Sequence, residues 1–389
     1  MKQLASNDAI DTISIGMASR TARDNVQHAC LDLAACFNSI LSIVATQQRT
    51  EPFTLDQDEN MKTRAPRNRT LTCSESEQEA LAKDLLQLSA SATVEEVTDA
   101  VIHQDMSEAV KFLPQGFVDL LVLDPPYNLT KNYNGHVFRA REAEAYTTWF
   151  SDILESLLPI LTPTASIYVC SDWRTSTVVF PILDSHFHVR NRITWEREKG
   201  RGAKTNWKNN TEDIWFCTRT DDYCFNVDRV KLKRRVIAPY RSEDGTPKDW
   251  EEGRNGNYRL THPSNLWSDI SIPFWSMPEN TDHPTQKPEK LIAKLVLASS
   301  HPGNMVFDPF LGSGTTAVVS RKLNRHFCGV ELNGEYCCWA LKRLKQALRD
   351  ESIQGYADGV FWERNSLKEQ NARTRVKKRS TDTLELFND

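Results

Sequence analysis

Phe117-Val118-Asp119-Leu120-Leu121-Val122-Leu123-Asp124-Pro125-Pro126-Tyr127 is a nearly continuous apolar run that breaks off in an acid, two prolines and an aromatic ring. A run of that kind suits a central parallel strand buried on both faces. In such sheets ligands bind beyond the carboxyl ends of the strands. Two successive prolines stop the strand, fix φ and leave the Pro125 carbonyl without a ladder partner. A carboxylate and a carbonyl can then point together into the crevice, as a double acceptor for an amino group. An amino nitrogen conjugated with a ring is a poor nucleophile, and accepting both of its hydrogens at Asp124 and Pro125 restores that character. Tyr127 offers a face on which an unstacked base can lie, a contact worth ~1–3 kcal/mol. Taken alone, the tetrapeptide Asp124-Pro125-Pro126-Tyr127 reads equally as an ordinary turn after a strand.

Outward from this stretch, short apolar strands alternate with helical patterns. Strands are expected at Val101-Ile102-His103, at residues 165–170, 192–195 and 214–217, then at Met305-Val306-Phe307 and Phe327-Cys328-Gly329-Val330. Helices are expected over 288–300, from Ala317, and over 335–347. That alternation predicts an α/β fold with a doubly wound, mostly parallel, Rossmann-like sheet. The polar interval 219–282 interrupts it as an insertion.

The second chemical signal is Asp308-Pro309-Phe310-Leu311-Gly312-Ser313-Gly314-Thr315-Thr316, between an apolar strand and a helix. Glycines there let backbone approach a ligand, and a helix N-terminus offers N–H groups to anionic atoms such as a carboxylate. No lysine follows in the Gly-x-x-x-x-Gly-Lys spacing of a triphosphate site, which speaks against an ATPase. Glu331 closes the next strand, about 20 residues on, where Rossmann-type units place an acid on ribose hydroxyls. Asp105 ends the strand after Ala100 and reads either as an acceptor for a cofactor amino group or as a helix N-cap before Met106.

An Asp-Pro-Pro-Tyr loop with a Phe-x-Gly-x-Gly loop resembles the DNA amino-methyltransferases. With the catalytic loop ahead of the cofactor loop, and with His283-Pro284-Thr285-Gln286-Lys287-Pro288 between them, the chain looks like the beta class, a permuted family of adenine-N6 and cytosine-N4 methyltransferases. The resemblance covers about residues 98–348. It implies S-adenosylmethionine as cofactor, with Thr285, Gln286 and Lys287 at its methionine end, and Asp124, Asp308 and Phe310 near the methionine and sulfonium. It further implies Gly312, Gly314 and Thr315 in the loop, Glu331 on the ribose and Asp105 on the adenine. Asp at the head of the catalytic loop usually accompanies adenine, with cytosine N4 the runner-up and RNA or a protein glutamine further alternatives. Carbon-5 cytosine methylation is set aside, since no Pro-Cys pair supplies its thiolate. The implied organisation is an N-terminal extension over 1–97, a methyltransferase domain over 98–348 and a basic tail over 349–389. Within the domain lie a catalytic half (98–218), a target-recognition region (219–282) and a cofactor half (283–348).

Composition agrees with a globular enzyme. The 389 residues are 39% hydrophobic and 26% charged, a balance that excludes disorder throughout. A net charge of −4 means that duplex DNA, the expected partner, must meet basic residues gathered on one face. Arg229, Lys231, Lys233, Arg234 and Arg235 form one such run inside the insertion, and Lys204 and Lys208 follow a loop that leaves Trp195. Phosphate contact is the expectation for both, against the alternative of a merely solvated face. Nine cysteines without ligand spacing imply reduced thiols and no metal. Residues 31–44 are too short and too interrupted by Asp32, Asn38 and Ser39 for a membrane span, but suit an amphipathic helix. Residues 58–76 read as a linker, 76–88 as a helix, and Met61 as an alternative start. A bacterial cytoplasmic or nucleoid location, a homodimer and a cognate restriction endonuclease complete the expectations.

Overall fold

The computed structural model describes residues 64–197, 204–236, 240–253, 256–364 and 366. All but Arg64 of these fall in one unit, 65–389. The expected helix over 31–44, Met61 and residues 367–389 of the expected basic tail lie outside the described residues.

In chain order the elements are α1 (Glu75–Ala82), α2 (Val94–Val97), β1 (Ala100–His103), α3 (Met106–Ala109), β2 (Val118–Leu123), β3 (Lys131–Tyr133) and β4 (His136–Phe138). Next come α4 (Ala143–Leu157), β5 (Leu161–Ser171), α5 (Ser176–His186), β6 (His188–Glu196) and β7 (Thr211–Thr218). The insertion holds β8 (Leu232–Arg235), β9 (Glu251–Gly253), β10 (Gly256–Thr261) and β11 (Leu266–Trp267). The remainder is α6 (Glu289–Ser299), β12 (Met305–Asp308), α7 (Thr315–Lys322), β13 (His326–Glu331), α8 (Gly334–Ala347), β14 (Tyr356–Ala357) and β15 (Val360–Trp362).

The main sheet has eight strands in the order β1-β13-β12-β2-β5-β7-β6-β11. Pairing is parallel from β1 through to β5 and antiparallel where β7 meets β5 and β6. The expected mostly parallel, doubly wound sheet is therefore present. β2 sits at its centre because both of its faces are apolar. Leu121 and Leu123 pack with Tyr146, Phe150 and Leu154 of α4, whereas Leu120 and Val122 pack with Leu291, Leu295 and Val296 of α6. The buried residues of α4 recur at Tyr146, Phe150, Ile153, Leu154 and Leu157, the spacing of one helix face.

Three boundaries differ from the sequence expectations. The helix read over 76–88 stops at Ala82 after starting in a capping box between Ser74 and Glu77; Leu86 instead bridges to Ile102 of β1. Leu71, inside the expected linker, is buried and bridges to Thr281, and Lys342 of α8 ion-pairs with Glu77 at 2.6 Å. Residues 65–97 are thus built onto the sheet rather than extending from it. At the other end, β14 and β15 lie within the stretch expected as tail. They join β8, β10 and β9 in a second sheet ordered β14-β15-β8-β10-β9. Among the described residues no helix is long and apolar enough to cross a membrane.

Candidate active site

Every parallel strand delivers its last residues to one edge of the sheet, and there a cleft of about 850 Å³ opens. That volume lies within the range of small-molecule sites, ~300–1,000 Å³. Asp105 enters from β1, Glu331 from β13, Phe310 from beyond β12 and Asp124 to Tyr127 from β2. β7 runs against its neighbour β5, so its first residues, Thr211 and Glu212, reach the same edge. β6 brings Trp195 and Arg197. The two loops that stand far apart in sequence are neighbours because β2 and β12 pair directly, Leu120 with Val306 and Leu121 with Phe307.

The catalytic loop sits in a charged cluster. Asp124 Oδ2 accepts from Lys287 Nζ at 2.7 Å and Oδ1 from the Tyr127 hydroxyl at 3.0 Å. Lys287 Nζ is equally 2.7 Å from Glu212 Oε1, and Arg197 Nη1 donates to Glu212 Oε2 at 2.8 Å. The Tyr127 hydroxyl also lies against Glu212 Oε1. Burial disfavours the Lys287 ammonium, but Asp124 and Glu212 outweigh it and raise its pKa above the usual lysine value. Burial likewise disfavours the Glu212 carboxylate, and Lys287 and Arg197 outweigh it, holding its pKa below the usual range. Burial, with Asp124 and Glu212 alongside, pushes the Tyr127 phenol well up. The Pro126 carbonyl accepts from Tyr146 at 3.2 Å; that of Pro125 has no protein partner among the described residues.

The residues expected at the cofactor divide into those that face the cleft and those that hold the loop. Asp105, Thr285, Gln286, Lys287, Phe310, Gly312 and Glu331 line the cleft. Glu331 accepts from Gly312 N and Asn333 N, each at 2.8 Å, and burial raises its pKa. Asp105 caps α3 by accepting from Ser107 N at 2.8 Å, while also facing the cleft. Gln286 ties its own loop together, accepting from Thr281 N at 2.9 Å and donating to the Glu279 carbonyl at 2.6 Å. Behind the loop, Thr315 donates to the Lys287 carbonyl at 3.0 Å and accepts from Arg343 at 3.0 Å. Gly314 (φ +83°) touches α8 so closely that a Cβ would come within 2.5 Å of the Ala340 Cβ. Asp308 is enclosed, with Thr316 Oγ1 donating to it at 2.6 Å and Phe310 N at 3.0 Å, and burial lifts its pKa to about 7.

These residues fit the implied cofactor. Gly312 (φ +54°) is a cradle whose Cβ would press on His283 at 3.1 Å, and burial pushes that imidazole down to about 3, so it stays neutral. Ser313 Oγ is buried with no hydrogen-bond partner among the described residues and borders a small side cavity shared with Thr285, Gln286 and Gly312.

Reading the sequence missed two features. Glu212 was overlooked because the strand was expected to start at Ile214; an acid just ahead of an apolar run was its only signal. The β3–β4 hairpin was missed too. Its Asn134-Gly135 turn, a recognised hairpin signature, carries Tyr133, His136 and Phe138 to the cleft wall. Asn134 donates to Glu335 at 2.6 Å, tying the hairpin to α8.

The expected DNA contacts fall into two groups. Lys204 and Lys208 lie on the segment leading to Asn209 and Thr211 at the cleft wall, with Trp207 between them, 95% exposed. The run 229–235 is mostly engaged by neighbours in and beside the second sheet. Lys231 pairs with Asp228 at 2.7 Å, and Lys233, only 5% exposed, pairs with Glu251 at 3.1 Å and lies over the rings of Tyr258 and Trp362. Arg234 Nε is 3.7 Å from Glu363, and the Arg235 N–H donates to Glu363 at 3.0 Å. Arg229 is exposed.

An acid and an unclaimed carbonyl set across one cleft from a glycine loop suit group transfer to an amino group. The chain belongs to the DNA methylase family, whose model matches residues 118–342. It is 32% identical over 258 residues to the DNA adenine methyltransferase YhdJ of Escherichia coli K12, covering 64% of this chain and 83% of that protein. It is likewise 32% identical over 247 residues to the type II methyltransferase M.HpaI of Haemophilus parainfluenzae, covering 63% and 73%. Among solved structures it is similar to the M1.HpyAVI–SAM complex, with 22% identity, 63% of this chain and 98% of that one covered, and a TM-score of 0.43.

Proposed function

We propose that this protein transfers a methyl group from S-adenosylmethionine to the N6 amino group of an adenine flipped out of duplex DNA. The observation that carries this is the pairing of Asp124 with the free Pro125 carbonyl at the mouth of a cleft shared with the glycine loop. The cofactor, when bound, supplies an electrophilic methyl group. Phe310, Gly312, Thr285, Gln286, Asp105 and Glu331 are assigned to holding it, with Asp308, Gly314 and Thr315 shaping the loop from behind. Lys287 was expected at the cofactor carboxylate, and its ammonium here reaches Asp124 and Glu212. Asp124 and Pro125 accept the two amino hydrogens, orient the nitrogen for in-line attack, and Asp124 is placed to take the proton that nitrogen loses. Tyr127 and the hairpin residue Tyr133 provide aromatic surface for the extruded base.

Lys204, Lys208, Arg229 and Arg235 are assigned to the phosphate backbone. A homodimer, a companion endonuclease and a location with the chromosome in the bacterial cytoplasm belong to the same proposal. Single-molecule sequencing of DNA from a host expressing the protein tests it. N6-methyladenine at a recurring sequence is the expected result, lost in Asp124→Ala by about 1,000-fold or more in rate. N4-methylcytosine, or unmodified DNA, would overturn it.

A further inference from the structure

Asp124, the proposed amino acceptor, is already ion-paired with Lys287. Asp124 Oδ2 accepts from the Lys287 ammonium at 2.7 Å, whereas Oδ1 lies 3.0 Å from a Tyr127 hydroxyl whose single proton is shared with Glu212 Oε1. A carboxylate oxygen has more than one acceptor position, and an amino group that takes over the charged contact at Oδ2 displaces Lys287 from it. A buried ammonium without a counter-charge is strongly unfavourable, and Lys287 is 8% exposed. It can leave Asp124 only because a second carboxylate already holds it. Glu212 Oε1 lies at the same 2.7 Å, and Glu212 is itself 3% exposed. Arg197, bound to the other Glu212 oxygen at 2.8 Å, fixes that carboxylate in place. The four groups carry two negative and two positive charges, so the cluster stays balanced when one hydrogen bond is exchanged.

We propose that Glu212 is a positioning residue of the methyl transfer: it keeps Lys287 as its own counter-ion when the base amino group takes over Asp124 Oδ2. No covalent bond is made or broken and no proton moves in the exchange. One N–H···O contact to Asp124, from lysine, is replaced by another, from the base, while the Lys287–Glu212 pair persists. This rests on the proposed reaction at adenine N6.

Glu212→Gln keeps the size and the acceptor oxygen but removes the charge, which leaves Asp124 as the sole counter-ion of Lys287 and therefore masked. In the full-length protein it should lower kcat on duplex DNA by about 100-fold while KM for DNA and the affinity for S-adenosylhomocysteine stay within about threefold. Glu212→Asp should recover much of the loss. The double variant Glu212→Gln/Lys287→Met removes the ammonium that masks Asp124 and should run at least about tenfold faster than Glu212→Gln alone. A merely structural role for Glu212 would give no such rescue. A kcat for Glu212→Gln close to that of the unaltered protein overturns the proposal. So does a double variant no faster than the single one, the outcome expected if Lys287 instead holds the cofactor. Failure of the unaltered protein to methylate adenine, read in the same assay, is separate: it overturns the proposed reaction and this inference with it.

Discussion

Asp308 and Asp124 end adjacent strands, yet their surroundings differ. Asp124 has Lys287 beside it, whereas Asp308 is enclosed with only a hydroxyl and a backbone N–H as donors, and burial raises its pKa to about 7. An unfolded aspartate titrates near 3.9, so the folded chain binds the proton more tightly. Stability from this group is therefore full below about pH 4 and is lost as pH rises through about 7. Asp308→Asn, which stays neutral, should stabilise the ligand-free protein at pH 8 by up to about 4 kcal/mol and by almost nothing at pH 4. Urea melts at the two pH values check this, and an equal effect at both would refute it. Glu279, raised to about 7 by burial and by Glu289, acts in the same direction. Gly314 is a different case. Its positive φ and the 2.5 Å approach to Ala340 leave Gly314→Ala two separate penalties, and a loss of about 2–4 kcal/mol in the same melts is expected.

At the scale of elements, strands with two buried faces were the most legible. β2, β12 and β13 appear within a residue or so of where their apolar runs place them, because an uninterrupted apolar run has few other stable settings. The positions of Asp124, Asp308 and Glu331 at their ends were legible for the same reason. Glu212 was not, since its place in the cleft depends on β7 running antiparallel to β5, and a short apolar run carries no direction. The basic run 229–235 is harder to read, because net charge along a chain does not say which charges are already paired. Lys233 is buried against Glu251 and two rings, while Lys204 is exposed. Lys204→Ala should weaken DNA binding and reduce the slope of log affinity against log salt by about 0.9. Lys233→Ala should leave that slope intact and lower the melting temperature instead. Binding titrations at several salt concentrations separate the two, and a reduced slope for Lys233→Ala would show that it reaches DNA.

For the whole molecule, chain order and spatial order are decoupled. β2, which carries the proposed catalytic loop, precedes β12, which carries the proposed cofactor loop, by most of the fold, yet the two lie side by side, and the cleft is walled by residues from β1 through α8. A ligand bound there touches both halves and stabilises only the state in which they are joined. S-adenosylhomocysteine at 100 times its Kd should add about 2.7 kcal/mol to the unfolding free energy, a rise of several degrees in Tm. The two loops contribute unequally to this shift. Asp124→Ala leaves the glycine cradle intact and should keep the full shift while losing methylation. Gly312→Val places a branched side chain at φ +54° against His283 and should lose the shift relative to its own ligand-free Tm. If Asp124→Ala loses the shift as completely as Gly312→Val, the catalytic loop is part of the cofactor site itself, and the division of the cleft into an amino-accepting side and a cofactor side fails.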